Sequence, residues 1–185
     1  MLPEISLNIL DIANNSIRAG ANLIKIEVRI SRESDILTVK ITDNGCGMTD
    51  EHMTKVSDPF FTTRKTRNVG LGIPFLKQAT ESTGGDLSIE SSLCKGTVIN
   101  ASFGLSHIDR MPLGDICSTI YTLILANQDI DFLYIYECDG KEYQLDTRDI
   151  RQILGDIRFD APEVAGFIRN YLKENQWEID GGNSF

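Results

Sequence analysis

Asp43-Asn44-Gly45-Cys46-Gly47-Met48 closes a stretch in which Leu37, Val39 and Ile41 place an apolar side chain at every second position. That period marks a half-buried strand, and Asp43 continues it. Its carboxylate is therefore predicted to point into the same interior as the three aliphatic side chains. A carboxylate removed from water is costly without a specific partner. Gly45 and Gly47 suit backbone that bends sharply or lets a ligand come close. Taken alone, the stretch also reads as a surface turn after a strand, since Asn-Gly is a common turn pair.

Upstream, Ile24, Ile26, Val28 and Ile30 alternate with Lys25, Glu27 and Arg29, which predicts a strand with one wet face. Residues 31–34 form a turn, and the chain returns through residues 36–42 to Asp43. Residues 4–19 read as a helix, with Ile5, Ile9, Ile12 and Ala13 as its apolar stripe and Leu10 and Ile17 widening it. Glu4, Asn8, Asp11, Asn15 and Arg18 occupy the other face, and Gly20 suits the left-handed position that ends a helix. Asp11, Asn15 and Arg18 stack along one side, a pattern that a solvated face also produces. Its chemical reading is specific. An Asn carbonyl can serve a hard cation such as Mg²⁺. A carboxylate one turn earlier can polarise a water or hydroxyl attacking a phosphate.

Downstream, a helical turn at residues 51–57 leads into Asp58-Pro59-Phe60-Phe61-Thr62-Thr63-Arg64-Lys65. At least one of Phe60 and Phe61 reads as core packing, and the pair could anchor one end of a loop. That loop, residues 62–69, carries Arg64, Lys65 and Arg67, cations suited to a triphosphate or to plain surface charge. Gly70-Leu71-Gly72 then opens an apolar segment, residues 73–83, that reads as a helix whose first N–H groups could meet phosphate. Gly84-Gly85 turns the chain into a strand through Leu87 and Ile89. After Gly96, the residues Thr97, Ile99, Ala101 and Phe103 share one parity, which brings the Thr97 hydroxyl to the Asp43 side.

Asp11 and Asn15, the Asp43 stretch, residues 58–64, Gly70-Leu71-Gly72 and Gly96-Thr97 resemble, in that order, the N, G1, F, G2 and G3 boxes of the GHKL superfamily. That group holds gyrases, Hsp90 chaperones, histidine kinases and mismatch-repair ATPases. The resemblance spans roughly residues 4–104 and is nearest to the histidine-kinase nucleotide domain. It implies an ATP site in an α+β fold, a Bergerat-type two-layer α/β sandwich on a mixed sheet. It further implies that Asp43 accepts a hydrogen bond from the adenine amino group, that Asn15 binds Mg²⁺, and that Asp11 sits at the catalytic base position. Gly45, Gly47 and Met48 would line the base and ribose, with Thr97 steadying Asp43 directly or through water. Arg18, Phe61, Thr62, Thr63, Arg64, Lys65, Gly70, Leu71 and Gly72 would complete the ATP-binding set around the phosphates and lid. Asp11, Asp58 (where histidine kinases usually have Glu before the Pro) and Asn68 depart from the pattern. Asp11 is one methylene shorter than the Glu usual in gyrases, and Asn68 stands where histidine kinases usually have an additional Gly.

The remaining chain, residues 105–185, carries no recognisable motif and is expected to be a small α+β unit beside a nucleotide domain of residues 1–104. Helices are predicted over residues 114–127, 147–154 and 162–173. Phe132-Leu133-Tyr134-Ile135-Tyr136 and residues 143–145 read as strands about an Asp139-Gly140 turn. This unit reads as a partner-binding or homodimerising domain, or else as an extension of the core, and residues 177–185 are expected to fray.

The balance of 18 Lys and Arg against 27 Asp and Glu, a net charge of −9, argues against broad contact with nucleic acid. No apolar run approaches a membrane span, and Cys46, Cys94, Cys117 and Cys138 show no CxxC pair, which suggests reduced thiols in a cytoplasmic protein. The only histidines, His52 and His107, lie in nothing like a phospho-accepting hairpin, so autophosphorylation on His is not expected. The expectation is an Mg²⁺-dependent ATP-binding protein that hydrolyses ATP or passes its γ-phosphate to a separate protein. The alternative is a non-enzymatic module in which ATP gates the binding of a regulatory partner, as in anti-sigma factors. A mismatch-repair-like DNA ATPase rests on the first helix alone and conflicts with the charge.

Overall fold

The computed structural model describes residues 4–55, 72–155, 157–182 and 185. Its centre is the hairpin expected around Asp43. Strand β1 (Leu23–Ser31) pairs antiparallel with β2 (Ile36–Asp43), with Ile24 opposite Asp43, Ile26 opposite Ile41, Val28 opposite Val39 and Ile30 opposite Leu37. Because strand side chains alternate, these pairs share one face, and all eight side chains are buried. On the opposite face Glu27 is also buried, held by Lys25 at 3.1 Å and Arg29 at 3.3 Å. The wet face expected for β1 is thus an ion-pair cluster, which lets a carboxylate leave water at tolerable cost.

Two more strands flank the hairpin on one side. Strand β4 (Gly96–Gly104) runs antiparallel to β2 and sets Thr97 opposite Asp43, and β3 (Leu87–Ser92) is the edge strand beyond it. On the other side β5 (Asp131–Cys138) pairs in parallel with β1, and β6 (Lys141–Asp146) returns antiparallel as the second edge. The result is one mixed six-stranded sheet in the order β3-β4-β2-β1-β5-β6. The division expected at residue 104 does not interrupt this sheet, since β5 pairs with β1 from Leu23 to Ile30.

A parallel neighbour requires a crossover, and helix α4 (Ile116–Ala126) lies on it. Asp115 caps α4 by accepting the Ser118 N–H. Helix α1 (Ile5–Arg18) packs between α4 and α3 (Gly72–Glu81), and α6 (Pro162–Asp180) follows beyond α4. These four helices form one layer over the sheet, so the fold is the expected two-layer α+β sandwich. The apolar stripe of α1 (Ile5, Ile9, Ile12 and Ala13) is fully buried, and it belongs to one continuous core with Ile120 and Ile124 of α4 and Ile168 and Leu172 of α6. Helix α2 (Asp50–Lys55) and helix α5 (Thr147–Leu154), capped by Asp146, complete the described elements.

The chain end departs from expectation. Helix α6 continues past Lys173 to Asp180, and residues 177–182 and Phe185 are tied to the body of the fold rather than frayed. The reason is a set of long-range ties. The buried Asp180 carboxylate accepts from the Tyr136 hydroxyl at 2.7 Å and from Gln176 at 3.2 Å. The Phe185 carbonyl accepts the Leu113 N–H at 2.8 Å, and the Arg32 guanidinium lies over the Phe185 ring.

Candidate functional site

The second half of α1, the end of β2, the start of α3 and the β3–β4 turn converge at one end of the sheet. Asp43 is the last residue of β2 and is buried, as its parity demanded. Its two carboxylate oxygens have separate partners. Oδ2 accepts the Ser16 hydroxyl at 2.6 Å, and Oδ1 accepts the Gly45 N–H at 2.9 Å. The carboxylate is thereby both stabilised and oriented. A short hydrogen bond to a charged acceptor is worth roughly 1.5–3 kcal/mol.

Ser16 did not stand out in the sequence, yet a signal for it exists. Ile9, Ile12, Ala13 and Ser16 follow helical steps of three, one and three along the buried stripe of α1. A hydroxyl on such a stripe needs a buried acceptor, and Asp43 supplies it. Thr97 stands opposite Asp43 as expected, but its hydroxyl is 2.9 Å from Ser91 Oγ. The direct side-chain donor to Asp43 is therefore Ser16. Ser91 instead organises the surrounding loop, accepting the Met48 N–H and donating to the Gly96 carbonyl, each at 2.9 Å.

The 44–48 loop is fastened on both sides. Asn44 Oδ1 accepts the Asn22 and Leu23 N–H groups at 3.0 Å, and the Cys46 N–H donates to the Ala19 carbonyl at 2.8 Å. These bonds hold the loop to the C-terminal end of α1. Gly47 has φ +65°, and a Cβ there would run into the Ser92 carbonyl. The protein's own close packing thus requires this glycine.

Asp11 and Asn15 sit one turn apart on α1, half-buried, with Arg18 exposed one turn further on. Arg18 Nη1 donates to Asn15 Oδ1 at 2.8 Å, so the oxygen expected to serve a cation accepts from a guanidinium at the exposed helix surface. Asp11 reaches across to the first residue of α3, where a Cβ on Gly72 would overlap its carboxylate. An anion beside a helix N-terminus is favoured by the exposed N–H groups there. Phe61, Thr62, Thr63, Arg64, Lys65, Gly70 and Leu71 lie outside the described residues, so the expected phosphate-facing half of the site is represented by Arg18 and Gly72 alone.

Comparison with known proteins bears on the family and the fold. A family model for histidine kinase-, DNA gyrase B-, and HSP90-like ATPases matches residues 4–107. A Bacillus subtilis protein named sporulation kinase B is 35% identical over 94 residues, covering 49% of this chain and 21% of its own length. Another from the same organism, named a probable C4-dicarboxylate sensor kinase, is 34% identical over 79 residues, covering 43% of this chain and 15% of its own. The chain thus spans about a fifth or less of the length of these relatives. Among solved structures, the N-terminal domain of a DNA repair protein superposes with a TM-score of 0.59 at 16% identity, over 83% of this chain and 57% of that one. That likeness concerns the fold.

Proposed function

The chain belongs to the family of histidine kinase-, DNA gyrase B- and HSP90-like ATPases, and from its ATP-binding domain we propose a protein that uses Mg²⁺-bound ATP, either hydrolysing it or transferring the γ-phosphate to a separate protein. The observation that carries this reading is the buried Asp43 carboxylate, oriented by Ser16 and the Gly45 N–H at the mouth of a glycine-bearing loop. Asp43 accepts the adenine amino group, and an acceptor at that place selects against guanine, which presents a carbonyl at the same edge. Asn15 would hold the Mg²⁺ through Oδ1, since an amide oxygen suits a hard cation. When bound, the ion supplies charge neutralisation at the phosphates. Arg18, now hydrogen-bonded to Asn15 Oδ1, turns from that oxygen to the phosphates.

Asp11 acts as the base. It lies one turn from Asn15 on α1 and beside the N-terminus of α3, where nucleotide phosphates and the attacking group would meet. A carboxylate base suits water or a Ser/Thr hydroxyl as acceptor, since a neutral imidazole is nucleophilic without one. Phosphate release from Mg·ATP tests both roles. Asp11→Asn is expected to retain ATP binding and lose at least about 99% of turnover, the low end of the usual range for general-base removal. Asp43→Ala is expected to abolish binding in the same samples. Equal turnover in wild type and Asp11→Asn dismisses the base, and unchanged affinity in Asp43→Ala dismisses the adenine contact.

A second reading, ATP-gated binding of a regulatory partner without turnover, is favoured by one feature. Ile153 on α5 and Phe167 on α6 are exposed apolar residues beside the edge strand β6. ATP binding without phosphate release by the full chain would select this reading.

A further inference from the structure

Two of the four thiols lie in the loops that frame the candidate site and have no part in the proposed chemistry. Cys46 is in the 44–48 loop and Cys94 in the turn between β3 and β4, and both are exposed. The Cys94 N–H donates to the Cys46 carbonyl at 2.8 Å. A backbone bond of that length holds the two Cα atoms roughly 5–6 Å apart. That lies inside the range of roughly 4.4–6.8 Å spanned by disulfides. The loops are also packed too closely to drift apart, since Gly47 leaves no room for a Cβ against Ser92 and Gly96 leaves none against the Asp43 carbonyl. We propose that Cys46 and Cys94 form a reversible intramolecular disulfide, with a hydroperoxide as oxidant, that clamps the 44–48 loop to the β3–β4 turn.

The chemistry balances within that pair. One thiolate attacks a peroxide oxygen and breaks the O–O bond, becoming a sulfenic acid and expelling hydroxide (alkoxide from an alkyl hydroperoxide), which takes up a proton to leave as water or alcohol. The second thiolate attacks the sulfenic sulfur, forming the S–S bond and expelling hydroxide, which takes up a proton to give water. Two electrons pass from the sulfurs to the peroxide. Cys117 and Cys138 are buried and do not compete. Burial pushes the Cys117 thiol up to about 12 and raises that of Cys138, so both remain protonated at neutral pH.

The bond would fix the loop that follows Asp43 and so slow nucleotide exchange, a consequence that rests on the ATP-site reading. The test uses the full chain treated with hydrogen peroxide, alkylated and mapped by peptide mass spectrometry. The expected result is a Cys46–Cys94 linked peptide in monomeric protein, with loss of two of the four thiols that dithiothreitol reverses. Cys94→Ser should show no link and a trapped sulfenic acid on Cys46. Linkage only between chains, or separate over-oxidation of the two cysteines, overturns the proposal. A fluorescent ATP analogue should then dissociate several-fold more slowly from oxidised than from reduced wild type, and equally from Cys94→Ser in both states. Equal rates in wild type overturn the control of exchange. Failure of the reduced protein to bind the analogue would count against the ATP site and leave the linked peptide standing.

Discussion

At the scale of single residues, the site depends on pairs that fix direction. Asp43 is held by Ser16 from one side and by its own loop from the other, so the carboxylate would meet the proposed adenine amino group already oriented. Ser16→Ala removes a bond to a charged group while the carboxylate stays buried. We expect about a tenfold loss of ATP affinity, the low end for such a hydrogen bond. Calorimetric titration measures it, and an unchanged Kd would show that the Gly45 N–H orients Asp43 unaided. The position of Asp43 was legible because Leu37, Val39 and Ile41 declared the parity of β2. The identity of its partner was not, because Ser16 lies 27 residues away on another element.

Among elements, the critical contact is between α1 and α3. Asp11 on the first lies against Gly72 at the start of the second, in space that only a missing Cβ leaves open. Gly72→Ala must push the carboxylate aside, and the far end of a flexible side chain yields cheaply. Stability should hence change little, whereas turnover should fall by roughly ten- to a hundredfold, the cost of misplacing a reacting group by about 1 Å. Thermal unfolding and phosphate release on the same preparation separate the two effects. A loss of turnover matched by a large loss of stability would assign the contact to packing. The stacking of Asp11 and Asn15 on one side of α1 followed from their spacing alone. That the helix would present that side to Gly72 did not, since no local pattern says which two helices meet.

For the whole molecule, the sheet continues through β5 and β6, and the C-terminal helix is locked to it. Burial pushes the Asp180 carboxyl above the usual carboxylate range, and the hydrogen bonds from Tyr136 and Gln176 offset this only in part. A folded-state pKa above the unfolded one contributes stability that is complete below the ordinary value, near about 4, and lost as pH rises through the raised value. Urea midpoints of the wild type should therefore decline across that interval, and Asp180→Asn should flatten the decline while still accepting from Tyr136. Parallel curves for the two proteins would remove Asp180 as the source. The strands and helices of residues 105–185 were readable from their periodicity. Their union with β1 and the docking of Asp180 and Phe185 were not, because Asp180, Tyr136, Leu113 and Phe185 come together only after the core closes.

By itself, the sequence determined the alternation that buries Asp43, the helix that carries Asp11, Asn15 and Arg18, and the ordered motifs that identify an ATP-binding domain. The first two are written in neighbouring residues through a period of two or of 3.6, and the third rests on resemblance to a known family. Tertiary structure decided which hydroxyl orients Asp43, why Gly72 has no side chain, that two distant cysteines share a backbone hydrogen bond, and that both halves of the chain share one sheet. Those outcomes depend on contacts between segments far apart in the chain, and only packing of the common core brings such segments into register.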